Sequence, residues 1–153
     1  MADDDLLLAL TGIELAAAAV QDAVVATGLL DATGNAIVTS FAEHHRAHAA
    51  AYAALLTEGA TEPDADAADV LFGPVFGAVD GMSLLQGALA VEAHMAATAL
   101  DACARLADQD VAALAARVAA VESRHQAVLG TALGAPLDGT TPAATTEGSL
   151  LDA

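Results

Sequence analysis

The segment "FAEHHRAHAAAYAALL" contains three of the chain's five histidines. Residues three or four apart share one face of a helix, so His48 aligns with both His44 and His45. Further along, "ESRH" places Glu122 and His125 at the same three-residue spacing. Carboxylates and imidazoles are the donor groups that bind Fe, Mn or Zn, whereas Ca and Mg prefer sites made of oxygen alone. The two segments therefore predict a transition-metal site.

Two further carboxylates lie where apolar residues are expected. Glu14 follows Leu7 and Leu10 on one helix face, and Glu92 follows Leu89 on another. A carboxylate in an apolar core costs on the order of several kcal/mol unless it is paired or bound to a metal. The carboxylates and histidines of four helices would therefore meet at one cationic centre. The candidate ligands are Glu14, His45, His48, Glu92, Glu122 and His125, and His44, four residues before His48, is the alternative to His45.

Each of these residues also has a purely structural explanation. A core glutamate can pair with Arg46 or Arg124, and a histidine on an apolar face is often a hydrogen-bonded core residue. The whole set is harder to explain in this way, because four helices would each have to direct polar groups inward by chance. A metal-free network of hydrogen bonds stays open as the alternative.

The composition predicts an all-α protein. The chain has 153 residues, 56% of them hydrophobic and only 3% aromatic, and it is rich in alanine, a strong helix former. Helical periodicity predicts four long helices and one short helix, over Asp3–Thr27, Asn35–Thr57, Ala65–Phe72, Ser83–Leu106 and Asp110–Leu133.

The connections between these helices predict the topology. Short loops join the first two long helices and the last two, while a long connection with two prolines and several glycines joins the middle pair. This pattern predicts a four-helix bundle whose long crossover travels the length of the bundle. We expect residues 1–135 to form the bundle, and residues 136–153 to form an extended C-terminal tail that lies on it or is disordered.

The charge of the chain excludes several functions. Four arginines, no lysine and 21 acidic residues give a formal charge of −17, so no nucleic-acid partner is expected. We predict no membrane span, because Thr, Gly and Glu interrupt the longest apolar stretches. The acidic start "MADDD" does not resemble a signal peptide, which leaves a cytoplasmic location or export with the signal removed. We expect a monomer or a homodimer.

Four segments identify a family resemblance. "LTGIELAAAAV", "FAEHHRAHAAAYAALL", "GALAVEAHMAATAL" and "VAAVESRHQAVLG" resemble the four helices of bacterial ferritin-like proteins of the desiccation-related type. In the wider superfamily, helices one and three each supply a Glu, and helices two and four each supply Glu-x-x-His. The resemblance implies a ferritin-like bundle and places the metal ligands at Glu14, His45, His48, Glu92, Glu122 and His125.

His45 departs from that family pattern, because it occupies the position of a glutamate that bridges two metal ions. An imidazole that binds one ion through one nitrogen does not replace this bridge. Glu43 is no substitute, since it lies about 140° around the helix from His48. We therefore expect weak or incomplete occupancy, with at most one tightly held ion. His44 is expected behind the ligands, and His94 is expected to be exposed.

The resemblance implies three functions that the sequence alone does not separate. The first is an oxidoreductase of the di-iron carboxylate type that oxidises Fe(II) or reacts with oxygen or peroxide, with Mn and Zn as alternative metals. The second is a metal-sequestering protein without turnover, and the third is a metal-free structural module related to stress. Whether the chain is an enzyme stays open at this point, because a fold does not fix a function.

Overall fold

The computed structural model describes residues 2–56, 62–135 and 145–151. These residues form helices and connecting turns without a strand, as predicted for an all-α protein. The helices are α1 Asp3–Ala26, α2 Ala32–Ala53, α3 Ala65–Phe72, α4 Gly81–Arg105 and α5 Gln109–Ala132.

The start and the end of α2 differ from the prediction. The helix begins at Ala32, three residues early, because the side chain of Asp31 caps it by accepting a hydrogen bond of 2.7 Å from the Gly34 amide. It ends at Ala53, whereas the predicted end at Thr57 lies outside the described residues. The sequence "DATGN" therefore contains the capping residue and the first residues of α2, and the loop between α1 and α2 is shorter than predicted.

The start of α4 shows the same effect. This helix begins at Gly81, two residues before the predicted Ser83, because Asp80 accepts a hydrogen bond of 2.8 Å from the Ser83 amide. The other helix ends agree with the prediction to within one residue. Aspartate caps thus set the beginnings of the two helices that the sequence pattern placed least accurately.

The long helices pack as two antiparallel hairpins, α1–α2 and α4–α5. The Asp3 carboxylate at the start of α1 accepts hydrogen bonds from the amides of Ala107 and Asp108, just beyond the end of α4, at 3.0 and 2.8 Å. Helices α1 and α4 are therefore antiparallel, so α2 and α4 run in the same direction. The crossover between α2 and α4 must consequently travel the length of the four-helix bundle, as predicted.

The crossover lies against the bundle where two glycines leave space for it. The Asp64 amide donates a hydrogen bond of 2.9 Å to the carbonyl of Gly12, and a Cβ atom at position 12 would lie 3.2 Å from the Asp64 Cβ. At Gly87 a Cβ atom would come within 2.6 Å of the Pro74 carbonyl oxygen. Leu71 of α3 is fully buried between these two points of close approach. The crossover therefore closes one side of the bundle.

The apolar character of α1 is explained by its position in the core. The sequence suggested no apolar stretch of membrane-spanning length, but α1 contains an 18-residue window with a mean hydropathy of 1.5 that passes this test by length and composition. Of that window, 61% is buried inside the bundle. Leu6, Leu10 and Val20 are each at most 2% exposed and belong to the core. Helix packing accounts for these apolar residues.

The segment 145–151 returns to the bundle and packs on α4. Leu150 is 6% exposed, and its amide donates a hydrogen bond of 2.9 Å to the Thr98 hydroxyl. His94 Nδ1 lies 2.8 Å from the Gly148 carbonyl oxygen, to which it donates, and its side chain is half-buried rather than exposed as predicted. The rest of the predicted tail lies outside the described residues.

Candidate metal centre

The structure brings all six predicted ligands together in the middle of the bundle. His45 occupies the centre, with Nδ1 2.8 Å from Glu14 Oε2 and Nε2 3.3 Å from Glu92 Oε1. The three glutamates and His45 are at most 2% exposed. Four helices therefore direct a cluster of carboxylates and imidazoles into the buried interior, where each charge needs a partner.

Four of these residues form a group that we call the first subsite: Glu14, His45, His48 and Glu122. Each contributes one donor atom, and these atoms all lie within 4.8 Å of one another. His48 Nδ1 lies 2.8 Å from Glu122 Oε1 and 3.5 Å from Glu14 Oε2. Such separations suit ligands that surround one ion, because bonds of about 2.1 Å at right angles put neighbouring donors about 3 Å apart.

A second group, the second subsite, consists of His45, Glu92, Glu122 and His125. His125 Nδ1 lies 2.8 Å from Glu92 Oε2 and 3.0 Å from Glu122 Oε2. His45 and Glu122 thus belong to both subsites. The two nitrogens of His45 face different subsites, and so do the two oxygens of Glu122.

The first subsite contains donor atoms without hydrogen-bond partners. His48 Nδ1 and Glu122 Oε1 are close but not aligned as a hydrogen bond, and neither has another partner among the described residues. Buried polar atoms are nearly always paired, so an unpaired nitrogen and oxygen side by side need an explanation. A cation between them would be bound by both lone pairs, so these residues fit a metal ion.

The second subsite, in contrast, is saturated by the protein's own hydrogen bonds. Glu92 Oε1 accepts from Gln21 Nε2 at 2.5 Å and from His45 Nε2, and Glu92 Oε2 accepts from His125 Nδ1. An ion in this subsite would have to displace the protons of both histidines.

In the first subsite an ion would displace the proton between His45 Nδ1 and Glu14 Oε2, but His48 Nδ1 and Glu122 Oε1 have no hydrogen bond to lose. Fewer hydrogen bonds therefore oppose an ion in the first subsite than in the second.

The ionisation of the cluster follows from the proximity of its acids and bases. Burial alone would lower the pKa of His45, but the charges of Glu92 and Glu122 and the hydrogen bonds to Glu14 and Glu92 hold it well above its usual value. Burial is likewise outweighed at His48, where Glu122 and Glu14 raise the pKa to about 9. The metal-free cluster is thus held together by protonated histidines beside carboxylates.

The carboxylate of Glu92 shows the matching shift. Burial tends to raise its pKa, yet the positive charge of His45 and the hydrogen bonds from His125 and His45 hold that pKa far below its usual range. The pKa of His125 is raised, because its bonds to Glu122 and Glu92 outweigh its burial. In the metal-free protein, the protons on these histidines supply the positive charge that a metal ion would otherwise supply.

The neighbouring histidine on α2 has a different environment. His44 is exposed, and its Nδ1 lies 2.9 Å from His125 Nε2, the ring nitrogen on the far side from Glu92. Phe41 stacks on the His125 ring with centroids 3.9 Å apart. His44 therefore lies behind His125, as predicted, and it is His45 that faces the carboxylates.

The proposed pairing of core glutamates with arginine does not occur among the described residues. Arg46 pairs with the exposed Asp22, and Arg124 is exposed. Glu43 is also exposed, in agreement with its position on the helix. The charges of the buried glutamates are therefore compensated by histidine alone.

Two residues near the cluster were expected on inner helix faces but were not predicted to take part in the site. Gln21 lies seven residues after Glu14, on the same face of α1, and orients Glu92. Tyr52 lies four residues after His48, is fully buried and has a hydroxyl without a partner among the described residues. Helical spacing alone placed both on the inner faces, but an amide and a phenol are ordinary core residues at such positions.

The comparisons with known proteins agree with this architecture. The sequence pattern of the ferritin-like domain family matches residues 8–135. No curated protein and no solved structure matches the chain significantly. The match covers all five helices apart from residues 3–7 at the start of α1, and it includes every residue of the two subsites. The narrower resemblance to bacterial desiccation-related proteins stays a prediction.

Proposed function

The chain belongs to the ferritin-like domain family, and on this premise we propose that it binds a transition metal, iron, in the buried carboxylate and histidine centre. Mn and Zn are the alternative metals, because the donor set of three carboxylates and three imidazoles suits all three. The proposed ligands are Glu14, His45, His48, Glu92, Glu122 and His125.

The observation that carries this proposal is that two neighbouring polar atoms of the first subsite have no hydrogen-bond partner among the described residues. His48 Nδ1 and Glu122 Oε1 lie 2.8 Å apart without the alignment of a hydrogen bond. An ion there would also be within reach of Glu14 Oε2 and His45 Nδ1, so that four protein atoms from three helices would hold it. We therefore assign the tightly held ion to the first subsite.

Charge balance favours one ion over two. Three carboxylates carry three negative charges, so one divalent ion and one protonated histidine make the centre neutral. Two divalent ions would leave an excess positive charge in the interior unless an anion enters with them. His45 would remain a donor to Glu92 in the singly loaded centre, which keeps the second subsite closed by hydrogen bonds.

Iron bound in this centre would supply one-electron redox chemistry towards oxygen or peroxide. The protein's own groups would prepare the site for it. Gln21 and His45 fix Glu92, and His44 and Phe41 fix the His125 ring. Burial of the carboxylates keeps bulk water away from them. Oxidation of Fe(II) is therefore the reaction that we propose, and metal sequestration without turnover is the simpler variant of the same function.

A metal-free structural role is the second candidate. It is favoured by the hydrogen bonds of the second subsite, where both oxygens of Glu92 accept bonds from neighbouring side chains. In this case the protonated histidines and the carboxylates would form a permanent buried network that specifies how the helices pack. The unpaired atoms of the first subsite are what this alternative leaves unexplained.

The test is metal analysis followed by oxygen uptake. Protein from metal-depleted cultures would be titrated with Fe(II) under anaerobic conditions, and the metal-to-protein ratio would be measured after desalting. Because the net charge of −17 attracts cations everywhere, surface binding must be separated from the centre. Glu122→Gln removes a shared ligand, and Glu43→Gln removes an exposed charge of the same kind from α2.

We expect a ratio near one for the wild type and for Glu43→Gln, and loss of the tightly held ion in Glu122→Gln. Oxygen consumption on addition of Fe(II) would then separate oxidation from sequestration. Equal retention of iron by the two variants, or none by the wild type, would favour the metal-free role.

A further inference from the structure

The hydroxyl of Tyr52 is a buried hydrogen-bond donor without an acceptor. The side chain is 0% exposed, and no described residue offers its hydroxyl a hydrogen bond. It belongs to the same buried cluster as Leu10, Met95 and Val118, whose side chains have no polar atom that could serve as a strong acceptor. Buried hydroxyls are nearly always paired, so this donor indicates a partner other than the described residues.

Tyr52 lies on the face of α2 that also contains the two histidines of the first subsite. It lies one helical turn after His48 and two turns after His45, on the same face. Burial, and then the negative charges of Glu14 and Glu122, raise the pKa of the Tyr52 hydroxyl, which favours its role as a hydrogen-bond donor. His48, Glu122 and Tyr52 thus each have a buried polar atom without a hydrogen-bond partner among the described residues, and Tyr52 shares one face of α2 with His48.

An ion in the first subsite would leave room for such a partner. Four protein atoms are available to it, whereas iron commonly binds five or six ligands. The His48 side chain is 13% exposed, against at most 2% for the other three residues, so small molecules would arrive from its side. The interior location limits them to a few atoms.

We propose that Tyr52 donates a hydrogen bond to a small exogenous ligand on the metal of the first subsite, and that it selects anionic oxygen or nitrogen donors such as hydroxide or azide. This inference rests on the proposed metal site. Tyr52 is a specificity-determining residue, because a neutral donor favours a bound anion over a ligand that has no further lone pair to accept with. It is not itself a ligand of the metal.

The test uses Co(II) as a spectroscopic substitute for iron and sodium azide as the anion. Azide affinity is measured from the visible absorption of the Co(II) protein, for the wild type and for Tyr52→Phe. We expect Co(II) affinity to stay within about threefold, and azide affinity to fall about tenfold, as for loss of one charge-assisted hydrogen bond. Thr11→Val is the control, because it removes a buried hydroxyl that already donates to the Leu7 carbonyl.

A second measurement needs no substitution that could disturb folding. Tyr52 is the only tyrosine of the chain, so biosynthetic incorporation of 3-fluorotyrosine labels this site alone. In the Zn(II)-loaded protein, azide is expected to shift the fluorine resonance, whereas azide without Zn(II) leaves it unchanged.

The outcomes separate the two proposals. An unchanged azide affinity in Tyr52→Phe together with an unmoved fluorine resonance overturns this inference and leaves the metal site intact. A large loss of Co(II) affinity in Tyr52→Phe also overturns it, because Tyr52 would then bind the metal directly. A wild-type protein that binds neither Co(II) nor Zn(II) refutes the proposed function, and this inference with it.

Discussion

The Nδ1 atom of His44 lies 2.9 Å from the Nε2 atom of His125, on the side of the His125 ring that faces away from Glu92. Burial and the neighbouring charge of His125 lower the pKa of His44, so His44 is the neutral acceptor of this pair. The contact orients His125 and fixes which of its nitrogens faces the second subsite. Within the part of the chain that the structure describes, His44 thus forms no hydrogen bond or ion pair with a carboxylate, although it is adjacent to His45 in the sequence.

This geometry predicts unequal effects of two histidine substitutions on α2. His48→Ala removes a ligand of the first subsite and should lower Fe(II) affinity by more than the 10- to 100-fold typical of an outer-shell partner. His44→Ala should change it by less than about threefold, because His44 supports only the second subsite. Anaerobic calorimetry with Fe(II) measures both, with circular dichroism to check that each variant is folded.

The reverse order would place the ion in the second subsite. In that event His125→Ala would be as damaging as loss of a direct ligand, and His48→Ala would be mild.

Replacing His45 by glutamate should increase the number of bound ions. His45→Glu adds a fourth negative charge to the core and two oxygens that can bridge two ions, so the metal-to-protein ratio should rise from about one towards two. His44→Glu adds the same charge at the exposed neighbouring position and should leave the ratio unchanged. A wild-type protein that already holds two irons tightly would show that His45 does not limit occupancy.

The stability of the metal-free protein should decline in alkaline solution. The pKa of His48 is raised to about 9 in the folded chain, because the nearby carboxylates of Glu122 and Glu14 outweigh its burial. A raised pKa stabilises the fold fully below pH 6.5, and this contribution, about 3 kcal/mol, is lost as the pH rises through 9. Urea unfolding between pH 6.5 and 9.5 measures it.

The matched experiment uses Zn(II)-loaded protein, in which metal has replaced the histidine protons. Its free energy of unfolding should be flat over the same range. A metal-free protein that gains stability from pH 7 to 9.5 would contradict the assigned proton positions.

Two glycines in helices provide opposite predictions for the same substitution. Gly87→Ala would put a Cβ atom 2.6 Å from the Pro74 carbonyl oxygen and 2.8 Å from Val75, so we expect it to destabilise the fold by about 1–3 kcal/mol. At Gly130 the nearest atom is the Ala135 Cβ at 3.6 Å. Gly130→Ala should therefore stabilise by about 0.5–1 kcal/mol through helix propensity. Urea unfolding at neutral pH distinguishes the two, and equal effects would mean that the crossover can move away from α4.

The fold and the membership of the cluster were predictable because both depend on helical periodicity. Glu14 and Glu92 interrupt apolar faces at a spacing of three or four residues, and Glu122 repeats this one turn before His125. The prediction that these residues lie on one interior surface requires only that four amphipathic helices pack together.

The division of the cluster was not predictable, because it depends on side-chain contacts between helices. Whether His45 directs one nitrogen or both at carboxylates is set by the rotation of α2 against α1 and α4. The bond from Gln21 to Glu92 joins residues 71 positions apart, and nothing in the local sequence marks it. The return of Leu150 to α4 likewise depends on a distant partner, Thr98.

The two hairpins contribute unequally to the first subsite. Helices α1 and α2 supply Glu14, His45 and His48, whereas the hairpin α4–α5 supplies Glu122 alone. An ion there would bind three side chains of the hairpin α1–α2 and a single side chain of the hairpin α4–α5. A bound ion would then link the two hairpins of the bundle. If the two hairpins are produced as separate polypeptides, they should associate when metal is added. Glu122→Gln should prevent this association without preventing either hairpin from forming, because the hairpin α4–α5 then lacks its ligand to the ion.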